Sequence, residues 1–153
     1  MLTTVAPVTP GQDAFAQVAA LFDDYRVHYG QAPSARRTRA WLHDQVAQRR
    51  LAVAAAVRAD QICGFITTAI TPASLLLGAA WLIRDLYVHP RHRRSGVAKA
   101  LLQHVVDEAR AAGALRVSLQ TEVDNTPART LYAEVGFRPV SGLELLNLTL
   151  AAD

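Results

Sequence analysis

The chain has 153 residues, of which 51% are hydrophobic and 19% charged, so it reads as one folded domain, residues 1–153, and not as a disordered chain. Its apolar runs, such as residues 51–57 and 74–83, fall short of the ~20 residues a membrane span needs, and MLTTVAPVTP at the start lacks the marks of a secretory signal. One cysteine, Cys63, excludes an internal disulfide and predicts a cytoplasmic protein.

Net charge is only +3, yet the arginines bunch at Arg36, Arg37 and Arg39, at Arg49 and Arg50, and most densely in Arg91-His92-Arg93-Arg94. A local basic knot suggests a phosphate-bearing partner, whereas a solvated loop is the commoner meaning of a charge run.

In chain order, residues 2–8 predict a first strand. Thr9-Pro10-Gly11-Gln12 then looks like a helix start, with Thr as N-cap and Gln three residues on. Phe15, Val18, Ala19, Phe22, Tyr25 and Tyr29 recur at helical spacing, and Gly30 follows as a stop. A second helix is expected over 33–49, with Trp41, Leu42 and Val46 facing inward. Residues 51–58 and 61–70 are short, apolar and partly β-branched, and predict a hairpin turning at Ala59-Asp60. Thr71-Pro72 and Gly78 bracket a loop, after which 80–88 predicts another strand.

The clearest helix is 97–112, where Val97, Ala98, Leu101, Leu102, Val105 and Ala109 form an apolar stripe that Gly113 ends. A strand over 114–121, a short helix over 126–135 closed by Gly136, and two strands at 137–140 and 143–150 complete the chain. The unit 80–88, 97–112, 114–121 is a βαβ crossover, which makes its two strands parallel in an otherwise antiparallel sheet. The expected class is α/β (α+β): a mixed, mostly antiparallel sheet of six to seven strands flanked by four helices.

The strand-to-helix junction carries the chemistry. A helix N-terminus presents unpaired N–H groups and partial positive charge, so it suits a phosphate. Gly96 permits positive φ and close approach of an anion, and Ala98 keeps the first turn small. Arg93, Arg94 and Lys99 add charge around that backbone. Only one glycine is present, so this is no dinucleotide fingerprint, and it lacks the Gly-Lys-Ser/Thr of a Walker loop.

Asp85-Leu86-Tyr87-Val88-His89-Pro90-Arg91-His92-Arg93-Arg94-Ser95-Gly96-Val97-Ala98 and the residues after it resemble the acetyl-CoA-binding motif of the GCN5-related N-acetyltransferase (GNAT) superfamily. Asn125-Thr126-Pro127-Ala128-Arg129-Thr130-Leu131-Tyr132-Ala133-Glu134-Val135-Gly136-Phe137 resembles that superfamily's second signature, at the usual separation. The resemblance implies acetyl-CoA as cosubstrate, with no metal. It implies that Leu86, Tyr87 and Val88 pair through their main chain with the pantetheine arm, one N–H polarising the thioester carbonyl. Arg93, Arg94, Ser95, Gly96, Val97 and Ala98 would surround the pyrophosphate, and Asn125 would hold the arm or the substrate.

Tyr132 is the expected general acid, because a phenol near pKa ~10 can hand a proton to a thiolate near ~8.5. Some relatives carry a glutamate base just before the aspartate that matches Asp85. Arg84 stands there in this chain, which leaves Asp85 and Glu122 as candidate bases. Tyr25 and Tyr29 are candidate contacts for the amine. His89 and His92 flank Pro90 without acidic or cysteine neighbours, so no metal site is expected there.

The implied activity is acetyl transfer to a primary amine, of a small molecule such as an amino acid or polyamine. Two alternatives stay open: a protein lysine or N-terminal acetyltransferase, and a non-catalytic CoA-binding regulatory module of the same fold. Nucleic acid and membrane partners are not expected, given the modest charge and the lack of base-stacking aromatics beside the basic loop. A homodimer is one reading of the apolar C-terminal strand.

Overall fold

A computed structural model describes residues 2–151. Five strands form one sheet in the order β1-β2-β3-β4-β5, namely β1 Thr4–Val8, β2 Ala52–Arg58, β3 Gln61–Ala73, β4 Gly78–Val88 and β5 Arg116–Ser118. The helices are α1 Ala14–His28, α2 Ala35–Ala47, α3 Val97–Ala111 and α4 Thr126–Val135. Strands β1 to β4 are antiparallel to their neighbours, and β5 runs parallel to β4, as the crossover requires.

Two cores lie on opposite faces of the sheet. Phe15, Val18, Ala19, Leu21 and Phe22 of α1 and Leu42 of α2 pack with Val53, Ala55, Phe65 and Tyr87 on one face. Val97, Leu101, Leu102 and Val105 of α3 pack with Ala56, Cys63, Ile66, Ile83 and Val88 on the other. Consecutive strand residues alternate between these clusters, as the pleat demands. α3 reaches the sheet closely at Gly64, where a Cβ would stand 2.9 Å from the Tyr87 carbonyl oxygen and 3.2 Å from Leu101 and Val97 side-chain atoms.

Asp23, buried on α1, fastens α1 to the start of α2. It accepts from Thr38 Oγ1 at 2.6 Å, from the Ser34 N–H at 3.0 Å and from Arg26 Nη1 at 2.9 Å. The Thr38 hydrogen bond, against the opposing effect of burial, holds the Asp23 carboxyl below the usual carboxylate range.

Several sequence expectations are corrected. Thr9–Gln12 forms a turn, with Gln12 N–H donating to the Thr9 carbonyl at 3.0 Å and Thr9 N–H donating to Gln12 Oε1 at 3.1 Å, and α1 begins only after Asp13. Only the Gln12 side-chain half of the expected cap is present: the Gln12 N–H goes to the Thr9 main-chain carbonyl and not to its hydroxyl, and the pair closes a turn before the helix. Thr71-Pro72 lies inside β3, opposite Ala79 and Ala80, because β3 and β4 form a long hairpin arm beyond the core. Trp41 is half exposed on the rim of α2, beside Phe22, while Leu42 is fully buried.

The parallel strand is three residues long instead of the expected 114–121. The strands expected at 137–140 and 143–150 do not form, so the sheet has five strands and not six or seven. Alternating leucines there supply an apolar face, but among the described residues no neighbouring strand pairs with them.

Candidate active site

β4 and β5 pair over only three positions, the last being Leu82 with Ser118. Beyond that point the two chains diverge, and a cleft of about 280 Å³ opens between them. Ile83, Arg84, Asp85 and Leu86 line one wall, and Leu119, Gln120, Thr121 and Glu122 line the other. Asn125 and Tyr132 from α4 and its cap, with Tyr25 and Tyr29 from the end of α1, close the cleft.

The β4 wall is irregular. Register with β3 jumps between Thr67, opposite Asp85, and Thr68, opposite Ile83, which leaves Arg84 as the extra residue of a bulge. A bulge bends the strand and frees a main-chain group from the ladder, and here it does so on the cleft wall. No residue type in the stretch signals it, and sequence reasoning missed it.

Asp85 sits at the centre of a bonded cluster. Tyr25 Oη donates to Asp85 Oδ1 at 2.8 Å, and the buried Thr67 hydroxyl donates to Oδ2. Thr67 was not anticipated from sequence, since a threonine inside an apolar strand carries no distinguishing mark. Burial, and then the Asp85 charge, push the Tyr25 phenol far above its ordinary range, so it remains a donor. Tyr25 and Tyr29 meet edge to face at 5.3 Å, and Tyr25 also packs on Phe65 and Tyr87.

Tyr132 packs edge to face on Phe137 at 6.1 Å. Burial raises its pKa, with smaller contributions from Tyr29 and Glu122. Asn125 Oδ1 accepts from the Ala128 N–H at 3.3 Å and so caps α4. Its amide donors are not used in that cap, and the residue borders the cleft. Of the three residues expected along the cofactor arm, Leu86 lines the cleft, whereas the Tyr87 and Val88 side chains are buried in the two cores. Those two residues offer a ligand only their main chain.

β4 leads into a short 3-10 turn, Pro90–His92, and then into the basic loop. Arg94 has φ 59° and Gly96 has φ 83°, so two left-handed residues turn the chain into α3. Gly96 is the N-cap, no side chain caps this helix, and nothing lies within 4 Å of where a Gly96 Cβ would be. The N–H groups of Val97, Ala98 and Lys99 therefore face open space at the positive end of a fifteen-residue helix. A pyrophosphate fits that cradle on both charge and room.

The loop is braced from within. Arg93 Nε donates to the Val88 carbonyl at 3.0 Å, and its guanidinium lies 5.3 Å from the Tyr87 ring centre. Arg58 at the end of β2 donates to both the Ser95 carbonyl and Thr3 Oγ1. Ser95 Oγ donates to the His92 carbonyl. Arg94 makes no hydrogen bond or ion pair among the described residues and is exposed.

A five-stranded mixed sheet splayed at its parallel pair, with an anion cradle at the end of the splayed strand, is the architecture of an acyl-CoA-using transferase. The sequence profile of the acetyltransferase (GNAT) family matches residues 15–137, and the chain belongs to that family. It is an N-acetyltransferase.

The chain is 31% identical over 127 residues to the uncharacterised N-acetyltransferase YhfO of Bacillus subtilis (strain 168), covering 83% of this chain and 85% of that one. A solved probable acetyltransferase superimposes with TM-score 0.91 at 28% identity, over 98% of this chain and 99% of that one. A predicted acetyltransferase from Clostridium acetobutylicum, solved with acetyl-CoA, shares the fold with TM-score 0.73 at 18% identity, over 95% of this chain and 96% of that one.

Proposed function

We propose that this enzyme transfers the acetyl group of acetyl-CoA to the primary amine of a small molecule, by direct attack of the amine on the thioester. The observation that carries the reading is the cleft between the diverging strands, which holds Asp85, Glu122, Asn125 and Tyr132 together with the Tyr25 and Tyr29 rings. A volume near 280 Å³ suits the reacting end of an acyl arm and a compact acceptor.

In this reading Val97, Ala98 and Lys99 hold the pyrophosphate through main-chain N–H groups, with Arg93, Arg94 and Ser95 around it. Leu86, Tyr87 and Val88 align the arm through their main chain, and an N–H freed at the Arg84 bulge polarises the thioester carbonyl. The bound thioester supplies an activated acetyl group and a thiolate leaving group. Tyr132 Oη donates the proton that the thiolate takes up. Its raised pKa supports that role, since the phenol is protonated across the physiological range.

An acceptor amine with pKa near ~10 arrives as an ammonium and must lose a proton, which costs about 4 kcal/mol at neutral pH. Carboxylates and ring faces at the Tyr25–Tyr29 end suit the charged form. Both oxygens of Asp85 already accept from Tyr25 and Thr67, so Asp85 serves as the anchor of that wall. Glu122, exposed on the facing wall and with a carboxylate that has no hydrogen-bond or ion-pair partner among the described residues, is the better placed proton acceptor.

The test is thiol release from acetyl-CoA against a panel of amino acids, polyamines, amine-bearing drugs and lysine or N-terminal peptides. Small amines should give turnover. Turnover confined to peptides would replace the acceptor class, and cofactor binding without turnover on any acceptor would favour a regulatory module.

A further inference from the structure

The two walls of the cleft differ in charge. Arg84 and Asp85 stand on the β4 side and Glu122 on the facing side, and Arg84 is the one cation among the described residues that line the space. Arg84 is exposed, and its side chain makes no hydrogen bond or ion pair among the described residues, not even with its neighbour Asp85.

The bulge accounts for its position. In a regular strand residues 83 and 85 would share a face. Ile83 instead packs in the core under α3, while Asp85 meets Tyr25 of α1 on the opposite face. Register with β3 skips Arg84 between them, and a bulge re-aims the side chain of its extra residue. The side chain so placed borders the same space as the Tyr25 and Tyr29 rings.

Charges of opposite sign therefore act at separate points of the cleft. The Arg84 charge is felt at the Tyr25 phenol, and the Glu122 charge at the Tyr132 phenol. The Asp85 carboxylate beside Arg84 is engaged by two hydroxyl donors, from Tyr25 and Thr67. The guanidinium keeps its five N–H donors for a group that enters the cleft. A planar fork of donors suits a carboxylate, which it can hold through two parallel hydrogen bonds. A second ammonium, as in a polyamine, would be repelled by the same charge.

We propose that the acceptor is a small amino acid, its carboxylate held by Arg84 while its amine faces Glu122 and Tyr132. The assignment rests on the small-amine reading and narrows it, because Arg84 then selects for a free carboxylate and against polyamines and simple alkylamines. The first residue of a peptide has no free α-carboxylate, so peptide N-termini are disfavoured by the same contact.

Thiol release from acetyl-CoA, measured on amino acids each paired with its carboxamide and its decarboxylated amine, tests the contact. Each amino acid that turns over should exceed both partners in kcat/KM. Arg84→Gln should lower that preference by about tenfold or more, the scale of one charge-assisted hydrogen bond, mainly through KM for the amino acid. Arg84→Lys should keep part of it, since an ammonium retains the charge without the fork. Comparing ratios between proteins cancels both the difference in amine basicity and any general loss of activity in a variant. If neither variant folds, the preference in the unaltered enzyme decides alone. Equal turnover of acid and carboxamide, a preference for polyamines, or a preference that survives Arg84→Gln would overturn the carboxylate contact and leave the small-amine reading standing. No turnover on any small amine would overturn both.

Discussion

Tyr132 lines a cleft that also holds Glu122 and Tyr29, and burial keeps its proton on well past neutrality. Removing that hydroxyl with Tyr132→Phe should lower kcat by at least about 10²-fold, the usual scale of a lost general acid, and leave the dissociation constant for acetyl-CoA unchanged. Because the acid must be protonated and its pKa is raised, activity should fall only above about pH 10, and that alkaline limb should vanish in the variant. Steady-state rates across pH, with cofactor affinity by calorimetry, would check both. Equal loss in kcat and in affinity would mark Tyr132 as a packing residue.

Among individual residues the sequence was legible where one residue type answers one physical demand. Gly96 stands at φ 83° before a helix, as its place in the loop requires, whereas Asn125 was expected to hold the arm or the substrate and its capping of α4 was not anticipated. Thr67 and the Arg84 bulge were not legible, because register between two strands depends on both strands together and leaves no mark in either.

At the scale of elements, Gly64 shows how closely a helix can approach a sheet. A Cβ there would stand 2.9 Å from the Tyr87 carbonyl oxygen, which is main chain of β4. Gly64→Ala should destabilise the fold by about 1–3 kcal/mol in denaturant unfolding, the range for an overpacked core. A neutral effect would mean that α3 can move away from β3.

Asp23 makes a second prediction. Asp23→Ala leaves Thr38, Ser34 and Arg26 without their acceptor and should cost about 2 kcal/mol. The folded pKa of Asp23 lies below its unfolded value of 3.8, so its contribution is present above that value and lost as pH falls through the folded pKa. Acid unfolding of Asp23→Asn should therefore be less steep below about pH 4 than that of the unaltered chain.

The helices were the most readable elements. α3 and α4 agree with expectation nearly to the residue, since each has a long apolar period or a cap at both ends. The C-terminal strands failed for the opposite reason. Alternation in 143–150 reports that the segment has an apolar face, but a strand exists only with a partner, and the partner is not encoded in the segment itself.

For the whole molecule, ligand binding and folding are one equilibrium. Acetyl-CoA at a hundred times its dissociation constant should stabilise the folded state by about 2.7 kcal/mol. For a domain of this size that corresponds to a rise in Tm of about 5–10 °C. Gly96→Val should abolish most of that rise in a thermal-shift assay, because the branched side chain occupies the cradle and resists positive φ. An equal rise in the variant would relocate the pyrophosphate.

Arg58 reaches in two directions, to Thr3 ahead of the first strand and to Ser95 in the basic loop. β1 lies at the opposite margin of the sheet from β5, remote in topology from the cleft, yet one guanidinium ties its approach to the basic loop before α3. The set of that loop therefore depends in part on the anchoring of the chain's first strand. A lesion that only loosens the N-terminal strand would register as weaker hold on the nucleotide end of the cofactor, with every residue that touches the cofactor intact.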